Sequence, residues 1–528
     1  LGVPRASRAY QLVSLVRVRT DVRGATLLGE SFDLTEHAHE GRYDVIAWPG
    51  DRARLEAAGY EYDVVVEDLV GLDIRERLAE AAAQEAAPQQ RMTYRVLANY
   101  NNDMRRLETL APDLVKLVTL PNKTHQGRDV LALEIGGNIA AAATDGRPQS
   151  LLMGLHHARE WPSAELTMMF AEDLVDSYLK GDAEIKGVLD QLRLFVIPVV
   201  NPDGFVRSRE TVSDFVAPLP GAAAVAGEFA YHRKNMRPHT VLGRSELAGT
   251  VQQGVDPNRN YPYKWGGPGA SGSTSVQTYY GPGPGSEPEI KNILSILRNS
   301  QVLTLISNHT YSDLVLRPFG DTRANTPDEK IIKGHADAMA EINGYRSIKG
   351  IELYVTTGTT EDWVYGTTGA LSFTFEIGAN GVTGFGNTTP ADGQGFHPQY
   401  NLHIPAFYAR NRGAFLLNLK EALNPLSHVV LTGTAPAGTV LTLDKVVEIP
   451  LSRDFEGKNT LTERLSSSMT VNSSGRYTWH VNPSPMPQTV LDGRTLETYT
   501  LRAALPDGTV TEQSLLALRG ESYTRDFA

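Results

Sequence analysis

Strand-like and helix-like segments alternate between Met92 and Asn424. That alternation predicts an α/β domain of three layers: a mixed, largely parallel sheet flanked by helices. Two shifts of composition bound it. From Asp73 to Gln90 the chain is rich in Ala, Glu and Gln, and after Pro425 helical signals vanish. Four segments are expected: a small α+β domain over residues 1–72, a linker over 73–92, the main domain over 93–424, and a C-terminal all-β sandwich over 425–528.

In chain order, the stretches 10–18, 43–48 and 60–66 have strand composition, and 51–58 reads as a short helix stopped by Gly59. Nothing in this first segment concentrates catalytic residue types. The linker carries Arg75, Arg77 and Arg91; exposed arginines in such a stretch are typical sites of proteolytic nicking, although a solvated connecting helix fits equally well. In the main domain 130–135, 151–155, 192–200, 302–308 and 371–377 read as strands. The segments 103–110, 162–178, 286–298 (opened by a Ser286/Glu289 capping box) and 328–343 read as helices. Such a sheet places its ligand site at the carboxyl ends of the strands. The Gly/Pro/Ser-rich loop from Tyr261 to Gly285 contains Gly267-Pro-Gly-Ala-Ser-Gly272, a dinucleotide pattern by letter only, because no strand precedes it and no helix follows at once. Beyond Pro425 short strands at 429–431, 439–447, 477–481 and 499–503 carry no cluster of His, Asp and Glu, so a structural or surface-binding role is expected there.

Composition excludes several classes. With 41% hydrophobic and 21% charged residues, the 528-residue chain has ample material for two to four cores. A net charge of −11 offers no basic stripe for nucleic acid, and no apolar run is long enough to span a bilayer. Cysteine is absent, which removes disulfides, thiol catalysis and Cys-ligated zinc. The chain starts at Leu1 with no apolar signal segment, so a removed leader, or a start placed after one, is expected.

The chemistry begins at Ser150-Leu-Leu-Met-Gly-Leu-His-His-Ala-Arg-Glu-Trp-Pro-Ser-Ala-Glu165, a buried strand turning tightly into an amphipathic helix. His157 and Glu160 lie between the two, three residues apart, and nitrogen plus carboxylate oxygen suits zinc. Taken alone, the pair fits a polar turn as well. The metal reading demands a third ligand, and His309 ends the apolar strand that begins at Val302, at the sheet edge where the site is expected.

With that residue in place the chain resembles the zinc carboxypeptidases of the M14, carboxypeptidase A-like, family over roughly residues 93–420. His157-Ala-Arg-Glu-Trp161, Val199-Val-Asn-Pro-Asp-Gly204, His232-Arg-Lys-Asn235, Gly254-Val-Asp-Pro-Asn-Arg-Asn260, His309-Thr-Tyr311, Tyr354 with Asp362-Trp363, and Phe373-Thr-Phe-Glu376 follow one another in the family's order. The resemblance implies one zinc per chain held by His157, Glu160 and His309. It also implies Glu376 as general base and proton donor, and Arg233 as the cation that stabilises the tetrahedral oxyanion. The alternation of Leu371-Ser-Phe-Thr-Phe-Glu376 independently puts Ser372, Thr374 and Glu376 on one face. Asn258 and Arg259, with Arg159 nearby, resemble receptors for a peptide's free carboxylate, since a guanidinium matches it bidentately. Tyr354 resembles the phenol that closes over substrate, and Asp256 the carboxylate that orients His157. His156 has no counterpart role and is expected at the rim.

The position before the Asp-Trp pair lies at the floor of the family's specificity pocket, where an acid goes with basic substrates. Here it is Glu361, with Leu316, Gly320, Leu353 and Thr356 as walls, and release of Arg and Lys is expected, apolar residues also being admitted. A Lys349 folded beside that acid would neutralise it, and the pocket would then take apolar or mixed residues. The divergent loops 213–230 and 381–399 are placed to reshape the cleft. Residues 1–72 resemble a propeptide covering the cleft, with activation in the Arg-containing linker; the alternative is a permanently attached accessory domain. The expected protein is thus a secreted, monomeric zinc metallocarboxypeptidase, a zymogen, acting on peptide and protein C-termini. The alternatives are a cell-wall peptide amidase or endopeptidase, against which Asn258, Arg259 and Tyr354 argue, and an inactive peptide-binding protein.

Overall fold

The computed structural model describes residues 12–39, 41–210, 229–241, 244–246, 250–378 and 395–528. Its N-terminal segment runs β1 (Ser14–Arg19), α1 (Val22–Gly29), β2 (Asp33–His39), β3 (Arg42–Ala47), α2 (Asp51–Ala57) and β4 (Tyr62–Val66). The strands pair in the order β2-β3-β1-β4. Three expected strands and α2 are present; residues 10 and 11, where the first strand was expected to begin, lie outside the described residues. Two elements have no counterpart in the sequence reading. α1 is short and starts where Asp21 accepts the Gly24 N–H at 2.7 Å. β2 opens with a polar run, Asp33-Leu-Thr-Glu-His37, whose five residues are all buried, so no apolar alternation marks it. Its carboxylates, Asp33 and Glu36, accept from arginines of the main domain.

α3 (Leu69–Ala86) fills most of the composition-defined linker. Its Asp73, Arg77 and Glu80 are buried against the main domain. The Arg77 guanidinium lies 2.9 Å from Glu80 and donates to the His397 carbonyl at 3.0 Å, which corrects its reading as an exposed arginine. Arg75 remains exposed on the helix, and Arg91 is exposed beyond its end.

The main domain continues with α4 (Leu97–Leu110), β5 (Val115–Thr119), β6 (Leu131–Ile135), β7 (Gln149–Gly154), α5 (Trp161–Leu179), α6 (Ala183–Leu189), β8 (Arg193–Ile197) and a small ladder of β9 (His239–Val241) with β10 (Arg244–Glu246). Then come α7 (Pro288–Asn299), β11 (Val302–His309), β12 (Leu314–Arg317), α8 (Glu329–Asn343), β13 (Arg346–Lys349), β14 (Leu371–Glu376) and α9 (Tyr400–Leu423). Eight strands form one sheet in the order β13-β12-β14-β11-β7-β8-β6-β5. The central pairs β14/β11, β11/β7 and β7/β8 are parallel, as is β12/β13, and the remaining pairs are antiparallel. Every residue of β7, β11 and β14 is buried, as expected for strands covered on both faces. The Ser286/Glu289 capping box does not form. α7 begins at Pro288, the Ser286 hydroxyl donates to Glu287 at 2.6 Å, and Glu289 accepts instead from Asn235 at 3.0 Å.

β15 (Val429–Thr434), β16 (Val440–Phe455), β17 (Lys458–Thr470), β18 (Arg476–Val481), β19 (Tyr499–Ala504), β20 (Val510–Leu515) and β21 (Ser522–Thr524) make the C-terminal domain. They form two sheets, β18-β15-β21 and β17-β16-β19-β20, around a core that includes Leu431, Leu443, Trp479 and Leu501. β17, absent from the sequence reading, makes β16 one arm of a long hairpin.

Candidate active site

Three parallel strands end side by side and deliver the site. β7 runs into the turn that carries His157 and Glu160, β11 ends on His309 and β14 on Glu376, the last two being register partners. The turn must be tight to bring strand into helix. Leu155 takes φ 59° there, and Ser163 clamps it by donating to the Glu160 carbonyl at 2.6 Å and accepting from the Leu155 N–H at 2.9 Å.

His157 Nδ1 lies 2.6 Å from Glu160 Oε1, His309 Nδ1 lies 3.0 Å from Glu160 Oε2, and the two Nδ1 atoms are 3.2 Å apart. Glu160 Oε2 accepts no hydrogen bond although fully buried. On the far side, His157 Nε2 is 3.2 Å from Asp256 Oδ1 and His309 Nε2 is 3.1 Å from the Ser307 hydroxyl. A proton on each Nε2 leaves both Nδ1 lone pairs aimed at one point with a carboxylate, which is the donor set zinc takes in open hydrolytic sites. Burial pushes His309 down to about 4, so its ring is neutral and able to donate that lone pair.

His156 is not at the rim. It is wholly buried, 2.9 Å from the Tyr261 hydroxyl, 3.2 Å from Ser307 Oγ and stacked on the His309 ring. It therefore helps hold the orientation of His309, a role with no local sequence signal because its partners come from three distant segments.

One cavity is lined by His157, His309, Arg233, Asn258, Arg259, Tyr354, Glu361 and Glu376, with Leu316, Gly350, Leu353, Thr356, Thr359 and Thr374. Glu376 Oε2 is buried there without a hydrogen bond. Burial, and then the negative charges of Glu36 and Glu160, hold its carboxyl well above the usual range. Arg233 donates from Nε to Asp256 at 3.1 Å. Asn258 gives Oδ1 to the Thr360 N–H and hydroxyl, both at 2.9 Å, which leaves its amide N–H groups to offer a ligand. Arg259 spends Nε on the Gly269 carbonyl at 3.0 Å and Nη1 on the Asn258 carbonyl at 2.9 Å, and Nη2 remains to it.

Glu361 accepts the Thr374 hydroxyl at 2.9 Å through Oε2. Lys349 does not reach it. Its Nζ is held by the Arg323 and Ala324 carbonyls at 3.1 Å and by Asn325 Oδ1 at 2.7 Å, and is 3.7 Å from Glu329. Burial and the neighbouring Glu361 charge instead push Asp362 well up, while Asp362 accepts from the Gly320 N–H.

Two residues with no local signal of a functional role enter the site from β2. Asp33 accepts both Nη groups of Arg159 at 2.8 and 2.9 Å, and Glu36 accepts from Arg233 Nη1 at 2.7 Å; all four side chains are at most 3% exposed. Arg159, expected beside Asn258 and Arg259, is thereby engaged by the N-terminal domain and stacks on Phe396. Glu36 lines the cavity itself. The N-terminal domain's apolar cluster also absorbs Leu316, Leu353 and Tyr354 from the cavity wall, and Tyr43 donates to the Leu353 carbonyl at 3.3 Å. The loops 213–230 and 381–399 lie mostly outside the described residues.

Comparison with known proteins agrees with this geometry. A family model described as zinc carboxypeptidase matches residues 100–398. Carboxypeptidase A1 of Mus musculus is 30% identical over 348 residues, spanning 63% of this chain and 75% of that protein. Carboxypeptidase B of Rattus norvegicus is 30% identical over 291 residues, 53% of this chain and 62% of that one. Among solved structures, carboxypeptidase A from Helicoverpa armigera superposes with a TM-score of 0.64 at 19% identity, covering 79% of this chain and 98% of that one. Thrombin activatable fibrinolysis inhibitor superposes at 0.60 and 20%, covering 78% and 99%.

Proposed function

Since the chain belongs to the zinc carboxypeptidase family and so hydrolyses the peptide bond that holds a C-terminal residue, we propose that it releases Arg and Lys, admits apolar residues as well, and is held inactive while residues 1–72 sit on the cleft. The observation that carries the basic preference is Glu361. It is a carboxylate 4% exposed at the cavity, with a hydroxyl for its partner and with the neighbouring Lys349 committed elsewhere. An uncompensated buried carboxylate is costly, so a substrate guanidinium or ammonium is its natural counter-ion.

His157, Glu160 and His309 would hold the zinc, which when bound polarises a carbonyl and makes water acidic enough to attack near neutral pH. Glu376 takes the proton of the attacking water on Oε2 and passes it to the departing nitrogen. In the closed chain that carboxyl is held up by burial and by Glu36; departure of the N-terminal domain removes Glu36 and admits water to the cavity, which moves Glu376 toward the range of a working base. Arg233, freed from Glu36 and still oriented by Asp256, offers Nη1 to the oxygen on which charge develops. Asn258 Nδ2 and Arg259 Nη2 receive the terminal carboxylate, and Tyr354 closes over the bound residue.

Occlusion is supported by the Asp33–Arg159 and Glu36–Arg233 pairs and by the shared apolar cluster. The non-helical stretch 87–91, exposed from residue 88 to Arg91, is the natural place for activating cleavage. Among the described residues no helix is long and apolar enough to cross a membrane, and action outside the cell as a monomer is part of this reading. No observation favours a cell-wall peptide amidase or an inactive binding protein.

The test is kcat/KM for matched peptides ending in Arg, Lys, Leu and Phe, in the parent and in Glu361→Gln. Loss of the Arg preference in the variant supports the reading. A parent that already favours Leu or Phe, or an Arg-to-Leu ratio that Glu361→Gln leaves unchanged, refutes it.

A further inference from the structure

β16 is 16 residues long, yet β19 pairs only with its first part, Val440 to Asp444. From Lys445 onward β16 and β17 continue as a two-stranded ribbon. A bare ribbon is marginal in water and needs something to cover its apolar face. Here the cover is the main domain: Val447 and Ile449 belong to its core, and Leu451 clusters with Trp265 and Tyr280.

The ribbon's tip grips the Tyr261–Gly285 loop through backbone and side chains. The Lys264 N–H donates to the Pro450 carbonyl at 2.7 Å, and the Ser452 N–H donates to the Trp265 carbonyl at 3.1 Å. Arg453 donates to the Tyr280 hydroxyl at 2.8 Å, and Phe455 packs edge-on against Trp265 with ring centres 5.6 Å apart. The glycine-rich run that resembles a dinucleotide loop by letter has a mechanical reason for its glycines. A Cβ on Gly267 would meet Ser452 at 2.7 Å, and one on Gly269, at φ +77°, would meet the Val355 carbonyl at 1.8 Å. The loop is thus pressed between the hairpin tip and the segment that follows Tyr354, where Thr357 also donates to the Pro268 carbonyl at 3.0 Å. At the end of this chain of contacts, the Gly269 carbonyl fixes Arg259 through Nε.

We infer that the hairpin tip, Pro450 to Phe455, is a positioning element of substrate recognition: by clamping the glycine-rich loop it aims Arg259 at the substrate's terminal carboxylate. The inference rests on the reading of Arg259 as carboxylate receptor. It gives the C-terminal domain a part in the reaction, and it separates tip residues, which tune binding, from Glu376 and Arg233, which tune turnover.

The test uses the zinc-loaded full chain after limited tryptic cleavage in the 87–91 stretch, with Arg453→Ala, Phe455→Ala, the pair together, and Phe455→Tyr. Arg453 is exposed, so its variant has little reason to misfold. Expected are a KM for a peptide substrate and a Ki for benzylsuccinate, a carboxylate-bearing inhibitor, that rise together by about tenfold in the double variant while kcat stays within about twofold. Phe455→Tyr should restore most of the loss, and the Ki for acetohydroxamate, which engages the metal and carries no carboxylate, should not move. Arg259→Gln separates the two levels. If it leaves the benzylsuccinate Ki unchanged, the carboxylate reading of Arg259 falls. If it raises that Ki while the tip variants do not, the clamp is overturned. Equal loss of both inhibitors in the tip variants also overturns it, because that marks general unfolding of the site.

Discussion

Asp33→Ala is the sharpest perturbation of the closed cleft. Arg159 is 0% exposed; both Nη groups donate to Asp33, Nε makes no hydrogen bond, and besides its stacking on Phe396 the remaining side-chain hydrogen bond is one of 3.4 Å to the Tyr231 carbonyl. Removing one member of such a buried pair costs about 3–5 kcal/mol, because the surviving charge keeps its desolvation and loses its counter-ion. The guanidinium regains water when the N-terminal domain leaves, so the cost falls on the closed state. At about 1.4 kcal/mol per factor of ten, the open population rises by roughly 10² to several 10³-fold. Glu36→Ala should do less, about 1–3 kcal/mol, since Arg233 keeps Asp256 at 3.1 Å. The assay is the initial rate of C-terminal Arg release by the intact, zinc-loaded chain, set against the same chain cleaved after Arg91, which marks the ceiling. The intact parent should be slow, and Asp33→Ala should approach the ceiling further than Glu36→Ala. An intact parent as fast as the cleaved chain refutes occlusion. A folded Asp33→Ala with an unchanged ratio refutes the ion-pair account.

His309→Ala should abolish both stoichiometric zinc and activity, as should a chelator; a variant that keeps metal by elemental analysis and still turns over removes His309 from the ligand set. Glu376→Gln should retain zinc and substrate affinity while kcat falls by about 10²–10⁴-fold in single-turnover assays, and turnover within a few-fold of the parent would exclude it as base. Glu80 supplies a pH signature for the docking of α3. Burial pushes its carboxyl up to about 7 from 4.5, so the folded state holds the proton more tightly than the unfolded one. Its contribution is complete below about pH 4.5 and lost as pH rises through 7, by of order 3 kcal/mol. Glu80→Gln should flatten the fall in thermal stability between pH 4.5 and 7; an unaltered slope would show that Glu80 does not titrate there.

The sheet and the candidate metal site were legible in the sequence for one physical reason. A strand buried on both faces is rich in apolar residues and admits small hydroxyl and amide side chains but few charged or imidazole groups, so His157, His309 and Glu376 at or just past the ends of such strands mark where the sheet stops and chemistry starts. Local rules also found α2, α5 and the largely β character of the chain after residue 425, although they missed the short helix Pro487–Leu491. They failed where satisfaction of a polar group comes from far away. The strand Asp33-Leu-Thr-Glu-His37 lacks apolar alternation because its carboxylates are neutralised by arginines more than a hundred residues on. His156 is buried because Tyr261, Ser307 and Thr360 surround it, and Ser286 turned to Glu287 rather than to a helix box. Tertiary structure alone decided that Lys349 turns from Glu361, that Arg159 belongs to the N-terminal contact, and that the C-terminal hairpin reaches the glycine-rich loop. Each is a choice between partners of similar chemistry. Periodicity and motif spacing report which groups need a partner, whereas only the packed chain determines which one is within 3 Å.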